Sequence, residues 1–337
     1  MFNKTFVIAE IGSNHNRDKA ILKELIDVAA NAKVDAVKFQ TFFYGDIASD
    51  IVSATAYGEA DYTNKKKTWN NVLENLALPL EWYDYAFEYA RSKGIIPFST
   101  PESLEAVDFL ESLNVDLYKV ASMDLNYTDL LVKVAKTNKP VVFSTGMGKI
   151  SEVATAYECL KNSGCKEIGI LHCLSQYPPK YNEINLQMLK RYQDLFTNAT
   201  VGFSDHSLGI YTSIAAVAIG AKIIEKHITL DRSMPGPDHC FAMEPIELED
   251  LVKGIRAVEQ ALQDNERNDF ASRKHYRRSL VYVGDLKKGD ILKKEDIEFK
   301  RPGDGMGLEF TDVLIGLKLT KDVYKGELIN SNDFKED

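Results

Sequence analysis

Two histidines, His206 and His227, lie in polar clusters that directly follow short apolar runs. The runs span residues 199–203 and 221–225, and a segment of helical length, 210–219, separates them. Apolar strand, polar cluster and helix in this order are typical of a β/α unit, whose chemistry lies at the carboxyl ends of parallel strands. Neighbouring parallel strands would bring both imidazoles close enough to share one divalent metal ion, leaving positions for water and substrate. The alternative is two structural histidines satisfied by local hydrogen bonds.

Nearly every candidate strand ends in a side chain that can do chemistry. Two of these are lysines, Lys38 and Lys119, a residue type that proteins rarely bury without a partner. Lysine supplies charge and hydroxyl groups supply directional hydrogen bonds, so together they would hold a phosphate or a phosphorylated enol. The candidate hydroxyl residues are Thr100, Ser122, Ser144 and Ser204.

Three carboxylates accompany this predicted anion site: Glu10, Glu225 and Asp238. They would bind substrate hydroxyls or act as acid and base. The alternative is that each one only neutralises a lysine.

Alternation of apolar runs with amphipathic segments predicts the fold. The candidate strands are residues 5–11, 35–39, 95–99, 117–120, 140–144, 167–172, 199–203 and 221–225, and the candidate helices include 19–33, 80–93, 104–113, 128–137 and 248–262. Eight β/α repeats over about 260 residues predict a (β/α)8 TIM barrel. A doubly wound open sheet is the alternative, but the first βα turn, EIGSNHN, lacks its glycine-rich fingerprint.

A second, smaller domain follows the predicted barrel. We assign the barrel to residues 1–265, a charged linker to 266–277 and a small β-rich domain to 278–337. Two segments of this domain, DLKKGDILKKEDI at 285–297 and DVYKGELINSNDF at 322–334, resemble each other. Such a repeat predicts two similar β-turn units that fold together.

Composition excludes several classes of partner. The net charge is −9 and basic runs are short, which argues against nucleic acid. Apolar runs fall short of the ~20 residues that a membrane span needs. The four cysteines lack paired spacing, and the first predicted strand almost directly follows Met1, so we expect a cytoplasmic protein with reduced thiols.

Nine motifs run in order through the chain: IAEIGSNHN, DAVKFQTF, PFSTPES, YKVASMDL, VVFSTGMG, ILHCLSQYPP, GFSDHSLG, EKHITLDRSMPGPDH and KRPGDGMG. The set resembles the sialic acid (N-acetylneuraminate) synthase family, which includes legionaminate and pseudaminate synthases. This resemblance implies a transferase that condenses phosphoenolpyruvate with N-acetylmannosamine or a related hexosamine to give a sialic-acid-type sugar and phosphate. It also implies that the end domain is an antifreeze-like (SAF, β-clip) domain, which in the family covers the partner's active site in a domain-swapped homodimer.

The resemblance implies a role for each candidate residue. Phosphoenolpyruvate would be bound by Lys38, Thr100, Lys119, Ser122, Ser144 and Ser204. A divalent ion, Mn²⁺ in preference to Mg²⁺ or Co²⁺, would be bound by His206 and His227. The catalytic space and the pocket for an N-acylated amino sugar would be lined by Glu10, Gln40, Ser175, Tyr177, Glu225 and Asp238, with Arg301 arriving from the other subunit.

The chain departs from the family pattern near the predicted sugar pocket. Arg17 stands where the family often has glycine, and Ser175 where asparagine is common. The segment around Asn64, which should contact the sugar, does not align cleanly, and the role of Tyr276 is open. The acceptor is therefore either N-acetylmannosamine or a 2,4-diacetamido-trideoxyhexose.

Two hypotheses from other classes compete with a synthase. A Schiff-base barrel aldolase would use Lys38 or Lys119 as its nucleophile. A sugar-binding or ice-binding protein would depend on the end domain alone. The ring of polar strand ends counts against a binding protein, because such a protein needs neither the two lysines nor the two histidines.

Overall fold

The computed structural model of the protein describes residues 2, 4–53, 68–264 and 270–334. The chain divides into two compact units, Met1–Gln263 and Asp264–Asp337. Each unit has a hydrophobic core of its own, as expected of separate domains. The segment around Asn64 lies outside the described residues.

The first unit is built on parallel strands that close into a barrel. The strands are β1 (Phe6–Glu10), β2 (Ala36–Thr41), β3 (Ile96–Pro101), β4 (Tyr118–Val120), β5 (Val141–Ser144), β6 (Ile168–Cys173), β7 (Thr200–Asp205) and β8 (Ile223–His227). Strand β1 pairs with both β2 and β8, so the sheet closes on itself. The predicted (β/α)8 barrel is confirmed, and the open doubly wound sheet is wrong.

Helices surround this barrel. They are α1 (Lys19–Asn31), α2 (Trp69–Leu76), α3 (Tyr83–Ser92), α4 (Leu104–Ser112), α5 (Thr128–Lys136), α6 (Ile150–Asn162), α7 (Gln187–Leu195), α8 (Tyr211–Ala218) and α9 (Pro245–Ala261). Helix α1 illustrates how the sequence specifies them. Asp18 caps its first turn by accepting from the backbone amides of Ala20 and Ile21 at 2.7 and 3.3 Å, which satisfies two free N–H groups. Its buried residues, Leu22, Leu25, Ile26 and Ala29, recur at the helical period.

Alternation along the strands fills the barrel interior with two kinds of side chain. Successive strand residues point to opposite faces, so residues two apart share the lumen. The apolar cluster inside consists of Phe6, Ile8, Ala36, Phe98, Leu117, Val142, Leu171 and Ile223. A second set of side chains lies two residues after members of this apolar cluster and is mostly polar: Glu10, Lys38, Thr100, Lys119, Ser144, Cys173 and Glu225. The pattern that builds the core therefore also directs these polar side chains into the carboxyl end of the lumen.

The second unit is β-rich and contains the predicted repeat. Its elements are α10 (Phe270–Tyr276), β9 (Ser279–Tyr282), β10 (Ile297–Lys300) and α11 (Thr311–Leu314), with β9 and β10 antiparallel. Asp285 accepts from the backbone amide of Lys325 at 2.9 Å, and Asp322 accepts from that of Lys288 at 2.8 Å. Equivalent residues are 37 positions apart (285 to 322, 288 to 325), so each repeat caps a turn of the other.

Helix α10 lies within the stretch 266–277, which the sequence analysis interpreted as a linker and did not predict to be helical. The helix has only seven residues, too few for an apolar period to emerge. Contacts with residues distant in sequence stabilise this helix instead. The carbonyl of Lys274 accepts from Gly303 N at 2.9 Å, and its ammonium group pairs with Asp304 at 3.2 Å. Basic residues in its last turn also favour the helix dipole.

Candidate active site

Lys38 lies at the centre of the polar layer in the barrel. Its Nζ is 2.9 Å from Glu10 Oε2 and 3.8 Å from Glu225 Oε2, and it donates to Thr100 Oγ1 at 3.2 Å. Burial disfavours the charged ammonium, but the carboxylates of Glu10 and Glu225 raise the pKa of Lys38 above its usual value. Because Thr100 accepts from Lys38, its own hydroxyl proton is free to point at a ligand.

Lys119 is the second buried cation of this layer. Its Nζ lies 3.8 Å from Glu225 Oε1 and donates to the Val120 carbonyl at 3.3 Å. Burial lowers the pKa of Lys119 despite the neighbouring Glu225. Ser204 donates to the same Glu225 oxygen at 2.9 Å. The two lysines are thus joined through one carboxylate, and the contacts of Lys119 with Glu225 and Val120 are long, 3.8 and 3.3 Å, which suits binding of an anion.

Glu10 and Glu225 have pKa values displaced in opposite directions. Burial raises the pKa of Glu10, and Lys38 only partly offsets this. Burial also acts on Glu225, but Lys119 and Lys38 together lower its pKa. Carboxyl groups whose pKa values differ in this way are suited to different tasks, Glu10 as a proton donor and Glu225 as a permanent anion.

Three serines complete one side of the site. Ser122 Oγ accepts from Gly146 N at 2.9 Å, which leaves its hydroxyl proton free. A Cβ on Gly146 would lie only 2.8 Å from Ser122 Oγ and 2.4 Å from Ser175 Oγ, so only glycine leaves room for both hydroxyl groups there. Ser144 is buried, and its Oγ has no hydrogen-bond partner among the described residues.

Glu10, Gln40 and Asp238 converge around Gly12. Gln40 donates to Glu10 Oε1 at 2.8 Å. A Cβ on Gly12 would lie 3.1 Å from Glu10, 3.3 Å from Gln40 and 3.4 Å from Asp238. Gly12 also has a φ of +49°, which favours glycine. Ser13, which the sequence analysis missed, donates to Asp238 Oδ2 at 3.3 Å.

The imidazoles of His206 and His227 lie side by side at the ends of β7 and β8. Their ring centres are 5.4 Å apart. His206 Nδ1 lies 2.8 Å from the Leu174 carbonyl, so Nδ1 carries a proton and Nε2 is the nitrogen that would bind an ion after deprotonation. Burial and nearby cations, His206 and Lys38 among them, hold the pKa of His227 well below its usual value.

These imidazoles fit a divalent ion. A metal ligand must be deprotonated, and His227 is held neutral, with its buried Nδ1 lacking a hydrogen-bond partner among the described residues. Asp238 Oδ2 lies 3.6 Å from that nitrogen. Within the described part of the chain no group of three or more His, Cys, Asp or Glu side chains is arranged to hold a metal. Two imidazoles alone would leave positions for water and substrate on a bound ion, and the two-histidine metal site stays a prediction.

Aromatic rings enclose the histidine pair. Tyr177 packs on His206 with a centroid distance of 4.3 Å, and Phe241 lies 5.0 Å from His227 and 5.2 Å from Tyr177. Tyr177 is 54% exposed, so it is the solvent-facing ring of this group. Cys173 Sγ is 4.0 Å from His206 Nδ1. The sequence analysis missed Phe241 and Cys173, although Cys173 is in phase with the other lumen residues.

Two further acids, Glu102 and Asp124, were also missed. They follow Thr100 and Ser122 by two residues each, at the ends of the adjacent strands β3 and β4. Burial and a hydrogen bond with Asp124 raise the pKa of Glu102 well above its usual value. Glu102 Oε2 and Asp124 Oδ2 are both buried and lack a hydrogen-bond partner among the described residues, and burial raises the pKa of Asp124 as well.

Arg301 belongs to the second unit. Its Nε donates to the Tyr276 carbonyl at 3.1 Å, and its guanidinium carbon lies 5.5 Å from the Tyr276 ring centre. Both side chains are exposed. Contact of Arg301 with a sugar in a partner barrel stays a prediction.

In the described ranges, no helix combines the length and the apolar character that crossing a bilayer requires.

Comparison with known families assigns this barrel and the second unit to defined families. The NeuB family model matches residues 25–267, and the SAF domain model matches residues 277–335. The chain therefore belongs to the NeuB family and carries a SAF domain, which confirms the predicted family and the predicted nature of the end domain.

Individual relatives are similar along nearly the whole chain. N,N'-diacetyllegionaminic acid synthase of Campylobacter jejuni subsp. jejuni serotype O:2 is 37% identical over 332 residues, covering 97% of this chain and 99% of that protein. N-acetylneuraminate-9-phosphate synthase of Homo sapiens is 33% identical over 337 residues, covering 96% and 91%. The crystal structure of N-acetylneuraminic acid (sialic acid) synthetase from Leptospira borgpetersenii serovar Hardjo-bovis superimposes with a TM-score of 0.70 at 30% identity, covering 81% and 90%.

Proposed function

We propose that this NeuB-family enzyme, a nonulosonic acid synthase, condenses phosphoenolpyruvate with the open-chain aldehyde of an N-acylated hexosamine. The observation that carries the proposal is the layer of polar side chains at the carboxyl end of the barrel lumen. Two buried lysines and several free hydroxyl protons lie beside the imidazoles of His206 and His227 at the carboxyl end of a closed barrel. Active sites of such barrels lie at this end.

Phosphoenolpyruvate occupies the region between Lys38 and Lys119. Both ammonium groups are nearly inaccessible to solvent, so water competes weakly with a bound anion. Thr100, Ser122 and Ser144 offer hydroxyl protons to its phosphate and carboxylate oxygens. Hydrogen bonds to charged groups of this kind are roughly twice as strong as neutral ones.

A divalent ion, Mn²⁺ by preference, would be held by His206 and His227, and when bound it supplies Lewis-acid polarisation of the acceptor's aldehyde oxygen. The chain's own contribution is to keep His227 neutral and buried. Tyr177 and Phe241 limit the access of water to both rings.

The reaction joins C3 of the enol to the aldehyde carbon of the sugar. Water adds at C2 of the former enol, and phosphate leaves with the bridging oxygen, so that C2 becomes the ketone carbon. Of the two protons of water, one ends on the new hydroxyl and one on phosphate. Glu10, with its raised pKa, is suited to donate the proton to the new hydroxyl, while ionised Glu225 keeps both lysines in place.

The acceptor is a sugar with two acylated nitrogens, a 2,4-diacetamido-trideoxyhexose. The support is the higher identity with N,N'-diacetyllegionaminic acid synthase, 37%, than with the human N-acetylneuraminate-9-phosphate synthase, 33%. N-Acetylmannosamine and its 6-phosphate are the competing acceptors.

A screen of hexosamine acceptors tests this proposal. The enzyme is incubated with phosphoenolpyruvate, Mn²⁺ and each sugar in turn, and the product mass and released phosphate are measured. We expect one phosphate per product and the highest kcat/KM with the diacetamido sugar. Preference for N-acetylmannosamine would overturn the acceptor assignment alone. Borohydride trapping of pyruvate on Lys38 or Lys119 would instead indicate a Schiff-base aldolase.

The protein acts as a homodimer in which the SAF domain of each chain covers the barrel of its partner. Arg301 supports this proposal because its exposed guanidinium, held by Tyr276, is presented at the start of a glycine-containing loop. A two-fold dimer would supply one such arginine to each sugar pocket.

A further inference from the structure

Lys226 is a fully buried lysine on the outer face of the barrel. It precedes His227 on β8, and because strand side chains alternate, it points away from the lumen that His227 enters. The residue is 1% exposed. A charge in this position costs free energy of desolvation, and an apolar residue of similar size would avoid that cost. Its presence therefore calls for an explanation beyond stability.

The contacts of Lys226 are with the two neighbours of the other histidine. Its Nζ lies 3.3 Å from the carboxylate of Asp205, which precedes His206, and it donates to the backbone carbonyl of Ser207, which follows His206. Asp205 and Lys226 are also register partners on β7 and β8. One ammonium group thus holds the backbone on both sides of His206 to the strand that carries His227.

Asp205 is itself fixed from several directions. It accepts from the Ser207 amide at 2.8 Å, from Thr212 Oγ1 at 2.7 Å and from Ser213 Oγ at 2.6 Å. The last two residues lie on helix α8, which connects the two strands. Both strand ends and their connecting helix are therefore tied to a single carboxylate.

We propose that Lys226 is a positioning residue for the metal site, which sets the spacing of His206 and His227 by joining their strands through Asp205 and Ser207. A slip of one residue between β7 and β8 would turn His227 out of the lumen and Lys226 into it, because side-chain direction has a period of two. The Asp205–Lys226 pair opposes that slip, since it leaves both charges unpaired in the core. This inference rests on the proposed function, in which the two histidines bind a divalent ion.

Mn²⁺ binding tests the inference without any measurement of catalysis. The electron paramagnetic resonance signal of free Mn²⁺ gives the dissociation constant for the wild-type chain, Lys226→Met and His206→Ala. Lys226→Met keeps the length of the side chain and leaves three donors on Asp205. We expect its Kd for Mn²⁺ to rise about 10–100-fold, as for other residues that orient metal ligands. His206→Ala should lose binding entirely.

Leu130→Ala is the matched control for stability. Leu130 is fully buried on α5, on the far side of the same core, and lies outside the site. Its truncation should lower the melting temperature while leaving the Kd for Mn²⁺ unchanged. Asp205→Asn serves as a second variant if Lys226→Met does not fold, because the amide retains the shape and one acceptor oxygen but loses the charge. It too should bind Mn²⁺ more weakly.

The outcomes distinguish a failure of this inference from a failure of the proposed function on which it rests. If folded Lys226→Met or Asp205→Asn binds Mn²⁺ with the same Kd as the wild-type chain, while His206→Ala does not bind it, the positioning role alone is overturned. Failure of the wild-type chain to bind Mn²⁺ would overturn the metal site and the inference together.

Discussion

Lys38 Nζ lies 2.9 Å from Glu10 Oε2, and the two residues are register partners on β2 and β1. The same pairing that closes the barrel thus sets a cation beside the carboxyl group with the raised pKa. A bound anion would compete with Glu10 for this ammonium group. Substrate binding and the protonation of Glu10 are therefore coupled through one contact.

Phosphoenolpyruvate should increase the protonation of Glu10 when it binds. The substrate adds negative charge and draws Lys38 away from the carboxylate, so the already raised pKa of Glu10 rises further. Calorimetric titrations in two buffers of different ionisation enthalpy measure the protons exchanged. The wild-type enzyme should take up more protons than Glu10→Gln. Equal proton exchange in both proteins would contradict the coupling.

Lys119→Ala should weaken phosphoenolpyruvate binding selectively. A hydrogen bond to a charged group contributes about 1.5–3 kcal/mol, so the KM for phosphoenolpyruvate should rise by roughly one to two decades. The KM for the sugar should change much less. Lys166→Ala, at an exposed lysine just before the amino end of β6 and so at the end of the barrel opposite the site, is the control and should leave both constants unchanged. Equal increases for both substrates would argue against the anion site.

Removal of the metal should abolish activity, and Mn²⁺ should restore it, because the imidazoles alone cannot polarise a carbonyl group. His206→Ala and His227→Ala should fold, since each histidine lies at or just beyond the end of its strand, but neither should regain activity with added Mn²⁺. Circular dichroism and assays after chelation provide the check. Full activity in excess chelator would refute the metal assignment.

Stability should depend on pH through Glu102. Burial and Asp124 raise its pKa in the folded state well above the usual 4.5. The folded protein therefore binds more protons than the unfolded chain above about pH 4.5, and Glu102 lowers stability as the pH rises through that region. Glu102→Gln, which is neutral throughout, should melt higher than wild type near pH 7, and the difference should shrink toward pH ~4.

The exposed acid Glu105 provides the control for this measurement. Melting curves of Glu105→Gln should follow those of wild type across the pH range. A Glu102→Gln variant that melts below wild type at neutral pH would show that the carboxyl group is ionised there.

Two inactive variants should restore activity to each other if the dimer is domain-swapped. Lys119→Ala and Arg301→Ala are each expected to be nearly inactive, and they are unfolded and refolded together. In a swapped heterodimer, one barrel retains Lys119 beneath the intact Arg301 of the partner subunit, so activity returns. If each SAF domain serves its own barrel, confirmed mixed dimers stay inactive.

The barrel and most of the lumen residues could be predicted from sequence because both follow the same two-residue alternation. Ile8 and Glu10, or Val142 and Ser144, are successive inward positions on one strand, the first apolar and the second polar. Predicted and observed strands accordingly differ by only one or two residues at their ends.

What the sequence did not predict depends on contacts outside this alternation. Glu102 and Asp124 lie beyond the last paired residues of their strands, where side-chain direction has no fixed period. Lys226 is outward-facing, and its importance emerges only from its contacts with Asp205 and Ser207. Helix α10 depends on Gly303 and Asp304, about thirty residues later in the chain.

Turnover in ¹⁸O-labelled water tests the central claim most directly. If the enzyme forms a carbon–carbon bond and water adds at C2, phosphate release requires both Mn²⁺ and the acceptor sugar, and the released phosphate retains the bridging oxygen and acquires no label. Mass spectrometry of phosphate and product after a short incubation measures both. We predict unlabelled phosphate in a one-to-one ratio with a product that carries one ¹⁸O atom at C2 and is therefore 2 mass units heavier than acceptor plus unlabelled pyruvate. Labelled phosphate would contradict the account, because it would mean that water attacks phosphorus. Release without any sugar would also contradict it, because phosphate would then leave without carbon–carbon bond formation.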